Sequence, residues 1–405
     1  DYIQLLQRKN LQLEFSGAPL TREVSLVSCD SRQVVPGTLF ICKGAHFKVE
    51  FLQSAKEQGA FAYLSEKRYD QVDLPCILVS DVRLAMALLA DFYYNHPSAK
   101  LGVVGITGTK GKSSTAYYLK YIFDEYLAAK GQPASGVISS IETYDGVEKF
   151  ESHLTTPEPL DLERHFANGV ATGMRYLTME VSSQALKYDR VKNVEFAAAV
   201  FLNIGMDHIS PIEHPDFEDY FASKLRIFSQ AAAACVNLDC DHADRVLEAA
   251  RKSCPRMITF SQKDPSATIF GSQVRKVGGD ILFRVKTPRY SREFRLTMPG
   301  RMEVYANADE KVTVIVDYAH NRLSFETLFQ SVREEYPGRR IVTVFGCPGY
   351  KAYDRRKDLG EISGQYSDLV ILTEEDAGEE PVEEICRDIA QYVEQGGCDY
   401  SIVPD

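Results

Sequence analysis

The sequence predicts an α/β protein of three successive segments, residues 1–97, 98–300 and 301–405, with a mostly parallel sheet in the middle one. Three observations predict it. Short apolar runs alternate with helical patterns along most of the 405 residues, and that alternation packs helices over a parallel sheet. An apolar run at 101–106 leads through a glycine-rich loop into a helical pattern at 113–130. After Gly300 the alternation restarts, which sets off a smaller α/β segment.

In the first segment, Val34-Val35-Pro36-Gly37-Thr38-Leu39-Phe40-Ile41 and Cys76-Ile77-Leu78-Val79 read as apolar runs between turns, and 84–94 as a helix. Asn95-His96-Pro97-Ser98 ends that helix, because proline disfavours helix in the residue before it. In the middle segment 101–106 is a buried strand. The following helix carries Thr115, Tyr118, Leu119, Ile122 and Tyr126 at helical spacing. Further strands are expected at 176–181, 196–202 and 232–236. In the last segment strands are expected at 312–316, 341–345 and 369–372, helices at 324–335 and 381–395, and a final strand at 400–403. Internal repeats and low-complexity tracts are absent from the sequence.

Lysine plus arginine is 46 against 57 acidic residues, a net charge of -11. That balance argues against nucleic-acid binding but not against an anionic ligand, which a local cradle of backbone N–H groups can hold. The nine cysteines form no C-x-x-C pair, so neither a disulfide framework nor structural zinc is expected and a reducing cytoplasm fits. No signal-peptide pattern and no apolar run of membrane-spanning length is found. The chain starts without methionine and stops at Val403-Pro404-Asp405, so a fragment at both ends is expected.

The sharpest signal is Thr107-Gly108-Thr109-Lys110-Gly111-Lys112-Ser113-Ser114. Strand, glycine loop and helix in that order make a phosphate cradle. Glycines let the backbone close on phosphates, amides at the helix start point at them, and Lys112 reaches the terminal ones. The Ser113 hydroxyl can ligate magnesium. The general pattern has glycine where Ile106 stands, so this is a variant loop. A helix-capping turn with a surface lysine is the plain alternative, and the flanking strand and helix argue against it.

The loop resembles the Thr-Gly-Thr-x-Gly-Lys signature of the Mur ligase family, and the rest of the chain is similar to that family in the same order. Thr155-Thr156-Pro157 resembles its paired threonines. Met179-Glu180-Val181-Ser182-Ser183 resembles its magnesium glutamate with adjacent serines. Arg190 stands at its substrate arginine. Asn203, Asp207 and His208 resemble its Asn-x-x-x-Asp-His segment, and 220–228 resembles the helix whose lysine, here Lys224, is carbamylated. Asp30-Ser31-Arg32 and Pro36-Gly37-Thr38-Leu39-Phe40 resemble a uridine-binding segment. Gly300-Arg301-Met302-Glu303 and Asp317-Tyr318-Ala319-His320-Asn321 resemble the segment that closes over ATP.

The resemblance implies an N-terminal uridine-nucleotide-binding domain, a central P-loop ATPase domain and a truncated Rossmann-like C-terminal domain. It implies an ATP-dependent amide-bond ligase with magnesium. ATP would be held by Gly108, Thr109, Lys110, Gly111, Lys112, Ser113 and Ser114, with Arg301, Asp317 and His320. Magnesium would be held by Ser113, Glu180, His208 and carbamylated Lys224. A UDP-N-acetylmuramoyl dipeptide would be bound by Ser31, Thr155, Thr156, Ser182 and Arg190. A free amino acid would lie at Lys351, Glu375 and Asp376. The expected state is a cytoplasmic monomer. Taken singly, Glu180 reads as a cap, His208 as a structural imidazole and Lys224 as a solvated lysine; their joint spacing behind the loop favours the site.

The sequence departs from the family at Met298-Pro299-Gly300, which runs straight into Arg301-Met302-Glu303 where the family has a further helical segment. It also stops before the family's Gly-Lys-Gly-x-Glu region. Relatives that add diaminopimelate carry Asp-Asn-Pro-Arg, against Glu375-Asp376-Ala377-Gly378 here, and Lys351 replaces a second arginine. The resemblance therefore favours L-lysine as the incoming amino acid. Two rivals are a folylpolyglutamate synthase-like ligase, which places its loop close to the N-terminus, and a non-catalytic paralogue, against which Glu180, His208 and Lys224 argue.

Overall fold

The computed structural model describes residues 2–16, 23–44, 47–210, 213–277, 280–297, 303–306, 312–317, 319–350 and 353–404. Arg301, Lys351 and the 300–301 junction lie outside the described residues. By packing, the chain divides into two compact units, Asp1–Ile204 with Ala222–Phe270, and Gly205–Phe221 with Gly271–Asp405.

The first unit opens with α1 (Tyr2–Arg8), β1 (Gln12–Ser16), β2 (Leu26–Ser28), β3 (Thr38–Ile41), α2 (Val49–Glu57), β4 (Ala60–Ser65), β5 (Cys76–Val79) and α3 (Val82–Tyr93). The strands form a sheet in the order β1-β5-β4-β3-β2, with only β1 antiparallel to its neighbour. Successive strand residues point to opposite faces, and here both faces are buried. Leu39, Ile41, Leu64, Ile77 and Val79 pack with Ala85, Met86, Leu88 and Leu89 of α3 on one side. Phe40, Cys42, Tyr63 and Cys76 pack with Leu52 and Ala55 of α2 on the other.

The unit continues with β6 (Gly102–Thr107), α4 (Lys112–Ala128), β7 (Gly136–Ile138), β8 (Glu142–Tyr144), β9 (Lys149–Glu151), α5 (Pro159–Ala171), β10 (Tyr176–Glu180), α6 (Ser183–Lys187) and β11 (Phe196–Phe201). After α7 (Phe217–Leu225), of which only 222–225 belong to this unit, come β12 (Ala233–Asn237), α8 (Ala243–Ser253), β13 (Arg256–Ser261) and the first two residues of β14 (Ile269–Val277). Within this unit the strand order is β13-β12-β11-β6-β10-β7-β8-β9. It is parallel from β13 to β7, and β8 and β9 turn back as an antiparallel edge.

The expected strands and helices of this segment are present within a residue or two. The helical stripe read for α4 is corrected, because Ile122 is 62% exposed and Tyr126 47% exposed, while Ala116 and Leu127 are fully buried. The buried face uses a small residue where the helix approaches the sheet, which a count of large apolar residues does not register.

In the second unit β15 (Asp280–Lys286) and β16 (Ser291–Thr297) form an antiparallel hairpin, and β17 (Glu303–Ala306) pairs antiparallel with β18 (Thr313–Val316). Then come α9 (Arg322–Glu335), β19 (Val342–Phe345), α10 (Tyr353–Tyr366), β20 (Leu369–Leu372), α11 (Val382–Gln395) and β21 (Tyr400–Ile402). β19, β20 and β21 form a parallel sheet. Its core joins Val370 and Leu372 to Leu359, Ile362, Ile385, Ile389 and Val393. The expected strand at 312–316 pairs with β17 rather than with β19 among the described residues. Among those residues, no helix is long and apolar enough to cross a membrane, and all nine cysteines are free thiols.

Candidate active site

β6 lies between β10 and β11, with connections leaving to both sides of it. Such a switch point opens a crevice at the carboxyl ends of parallel strands. Register brings those ends level, with Glu180 opposite Ile106 and Phe201 opposite Thr107.

The loop after β6 needs its glycines. Gly108 has φ 156° and Gly111 has φ 80°, and a Cβ on Gly108 would stand 3.0 Å from the Leu202 Cβ. Asn203 fastens the loop from β11. Its Oδ1 accepts from Lys110 N at 2.8 Å, its Nδ2 donates to Lys110 O at 3.1 Å, and its carbonyl accepts from Thr109 N at 3.1 Å. Lys112 Nζ donates to Gly108 O at 3.0 Å and Thr109 O at 3.3 Å. Lys224, 2% exposed, donates to the same Gly108 O at 3.0 Å.

Glu180 is 1% exposed at the end of β10. Its Oε1 accepts from Ser140 N at 2.9 Å and from Ser140 Oγ at 3.2 Å, and Ser140 Oγ lies 3.2 Å from Ser113 Oγ. Sequence reasoning misses Ser140. The available signal is the serine pair Ser139-Ser140 just after β7, the strand beside β10. Ser113, Ser140 and Glu180 are hard oxygen donors of the kind magnesium takes, and the glycine loop with Lys112 has the form of a nucleotide-phosphate cradle.

Thr156, Ser182 and Arg190 also come together. Thr156 Oγ1 donates to Glu180 O at 2.9 Å and accepts from Ser182 N at 3.1 Å, and Arg190 Nη1 donates to Thr156 O at 3.4 Å. Ser182 caps α6 by accepting from Ala185 N. Ser31 opens a short helical turn capped by Asp30, and Ser31 O accepts from Gln58 Nε2 at 2.8 Å.

His208, Asp317, His320, Glu375 and Asp376 belong to the second unit. His208 has φ 59°, and its Nδ1 lies 2.9 Å from Glu213 Oε1. Burial acts to raise the Glu213 carboxyl, but hydrogen bonds from His208 and Ser210 bring it below its ordinary value. Asp207 is held by Asn321 Nδ2 at 3.4 Å and Arg355 Nη2 at 3.3 Å. Asp317 Oδ1 accepts from Ala319 N at 2.8 Å, and His320 N donates to Ser324 Oγ at the start of α9. Burial raises the Glu375 carboxyl, Arg355 opposes that and Asp376 adds to it.

Residues 106–308 match the Mur ligase middle domain and residues 300–405 the Mur ligase glutamate ligase domain. A UDP-N-acetylmuramoyl-L-alanyl-D-glutamate--L-lysine ligase of Enterococcus faecalis is 37% identical over 410 residues, covering 92% of this chain and 80% of that protein. A solved UDP-N-acetylmuramoyl-L-alanyl-D-glutamate--2,6-diaminopimelate ligase superposes with TM-score 0.65 at 20% identity, covering 97% of this chain and 87% of the other. The MurF ligase of Thermotoga maritima in complex with ADP superposes with TM-score 0.59 at 18% identity, covering 93% and 92%. Two domain matches that together span the loop, Glu180 and Lys224, and a relative of this identity over nearly the whole chain, place the protein in the Mur ligase family.

Proposed function

We propose that the chain is an ATP-dependent ligase that joins L-lysine to UDP-N-acetylmuramoyl-L-alanyl-D-glutamate in peptidoglycan synthesis. The observation that carries this reading is the meeting of the glycine loop, Lys112, Lys224 and the Ser113–Ser140–Glu180 chain at the carboxyl ends of β6, β7 and β10. ATP supplies the phosphoryl group that activates a substrate carboxylate for attack by the amine, and magnesium offsets the phosphate charge. Lys112 and the loop amides hold the phosphates. Ser113 and Glu180 are ligands for one magnesium. Lys224, as a carbamate, and His208 would be further magnesium ligands; Glu213 Oε1 at Nδ1 and Asp207 Oδ2 4.0 Å from Nε2 hold the His208 ring from both sides. Thr155, Thr156, Ser182, Arg190 and Ser31 bind the UDP-linked substrate. Residues 1–97, 98–300 and 301–405 serve as the uridine-nucleotide, ATP and closing segments, the last with Arg301, Asp317 and His320 on ATP.

L-Lysine is favoured by the loop after β20. Gly378 has φ 60°, a conformation in which an arginine side chain is disfavoured by roughly 1 kcal/mol. Glu375 and Asp376 offer carboxylates to an ε-ammonium, and Lys351 supplies one positive charge in place of an arginine fork. A diaminopimelate carboxylate left without its arginine costs about 2–5 kcal/mol. The test is ADP release with the UDP-muramoyl dipeptide and either amino acid. Lysine-dependent release is expected, with diaminopimelate at least about tenfold poorer; a preference for diaminopimelate refutes the charge argument, and no release with either amino acid refutes the ligase reading.

A further inference from the structure

Lys43 follows β3, and its ammonium pairs with Glu158 Oε2. The other oxygen of the same carboxylate, Oε1, lies 2.9 Å from Arg190 Nε as a second ion pair. The side chains of Lys43, Glu158 and Arg190 are only 16%, 27% and 19% exposed. Two cations share one carboxylate in a largely enclosed place, next to Thr156 through the Arg190 hydrogen bond, and Asp161 is a further carboxylate acting on the nearby Cys29 thiol. The Cys29 thiol, two residues before Ser31, is raised by burial, lowered by Lys43 and raised by Glu158, so that loop also lies near the pair. The first segment thus meets the Thr156–Ser182–Arg190 cluster at Lys43.

We propose that Lys43 is a further substrate-binding residue, forming with Arg190 a two-cation receptor for an anionic group of the UDP-linked muramoyl dipeptide, with Glu158 as the positioning residue. This rests on the functional reading above. One carboxylate shared by two cations holds both in place before the substrate arrives, which reduces the ordering cost of binding. The anion is either the diphosphate or a dipeptide carboxylate, since both present oxygens that a lysine point charge and an arginine fork accept.

The test is calorimetric titration of the full chain with UDP-N-acetylmuramoyl-L-alanyl-D-glutamate, with UDP and with ADP. Lys43→Met should weaken the muramoyl dipeptide by about tenfold or more, leave ADP unchanged, and be largely restored in Lys43→Arg. An equal loss for UDP assigns the diphosphate, and a loss confined to the dipeptide substrate assigns a carboxylate. Glu158→Gln should weaken the same ligand while leaving ADP binding intact. If Lys43→Met does not fold, Lys43→Gln takes its place. Unchanged dipeptide affinity in a folded variant overturns the role of Lys43 alone. Absence of binding by the unaltered chain overturns the functional reading and this inference with it.

Discussion

At the scale of single residues, Lys112 and the helix residue Lys224 are both held on carbonyls of the glycine loop. Lys112 reaches Gly108 O and Thr109 O, and Lys224 reaches Gly108 O. Lys112→Ala should lower substrate-dependent ATP hydrolysis by roughly a hundredfold or more, the scale for removing one donor to developing charge. Its urea midpoint should move little; near-native turnover would remove Lys112 from the site. Lys224→Ala should be inactive and partly recovered by small carboxylates that replace a carbamate oxygen, and an unmodified amine in an active enzyme by intact mass would refute carbamylation. Lys112, Glu180 and Lys224 were legible because each stands in a short motif beside a strand or on a helix with a recognisable pattern. Ser140, Lys43 and Glu158 were not, because their contacts join elements far apart in sequence.

At the scale of elements, strands and helices with strong periodicity were legible and pairing was not. The run at 313–316 reads as a strand, yet nothing in it chooses β17 over β19. The β15–β16 hairpin carries many charged residues and lacks a clean apolar alternation, so it went unread. A clamp across the loops after β19 and β20 was equally hidden. Arg356 forks onto Glu380 at 2.9 and 2.7 Å, and Glu380 Oε2 also accepts from Tyr350 N at 2.6 Å. The Arg356 bond holds the Glu380 carboxyl below its ordinary value. Glu380→Gln should cost up to about 3 kcal/mol, moderated by the remaining Asp388 contact. Because Glu375 and Asp376 ride on the same loop, the KM for the amino acid should rise more than the KM for ATP. Equal changes in both would make the clamp purely structural.

At the scale of the molecule, the end of α3 before Pro97 was legible, but not how closely the first hundred residues pack on the middle segment, with which they share one compact unit. Arg83 stacks 4.3 Å over the Tyr188 ring, and Asn193 Nδ2 donates to Asp91 Oδ2 at 3.1 Å. At this seam Glu163 of α5 is 2% exposed, and its Oε2 has no hydrogen-bond partner among the described residues. Burial first, and then the Asp91 charge, raise its carboxyl well above the ordinary value. His96 Nδ1 contacts the same Asp91 at 2.8 Å. Below the unfolded glutamate pKa both states are protonated and Glu163 costs nothing. Between that value and the raised folded one, the folded chain binds a proton that the unfolded chain lacks. Stability from this group therefore falls as pH rises, by about 1.4 kcal/mol per pH unit, and levels off above the folded pKa. Glu163→Gln removes that slope. Urea denaturation should show little difference between variant and parent near pH 4.5 and a growing advantage for the variant toward pH 8. A difference that stays constant across that range would mean that Glu163 does not carry the proton.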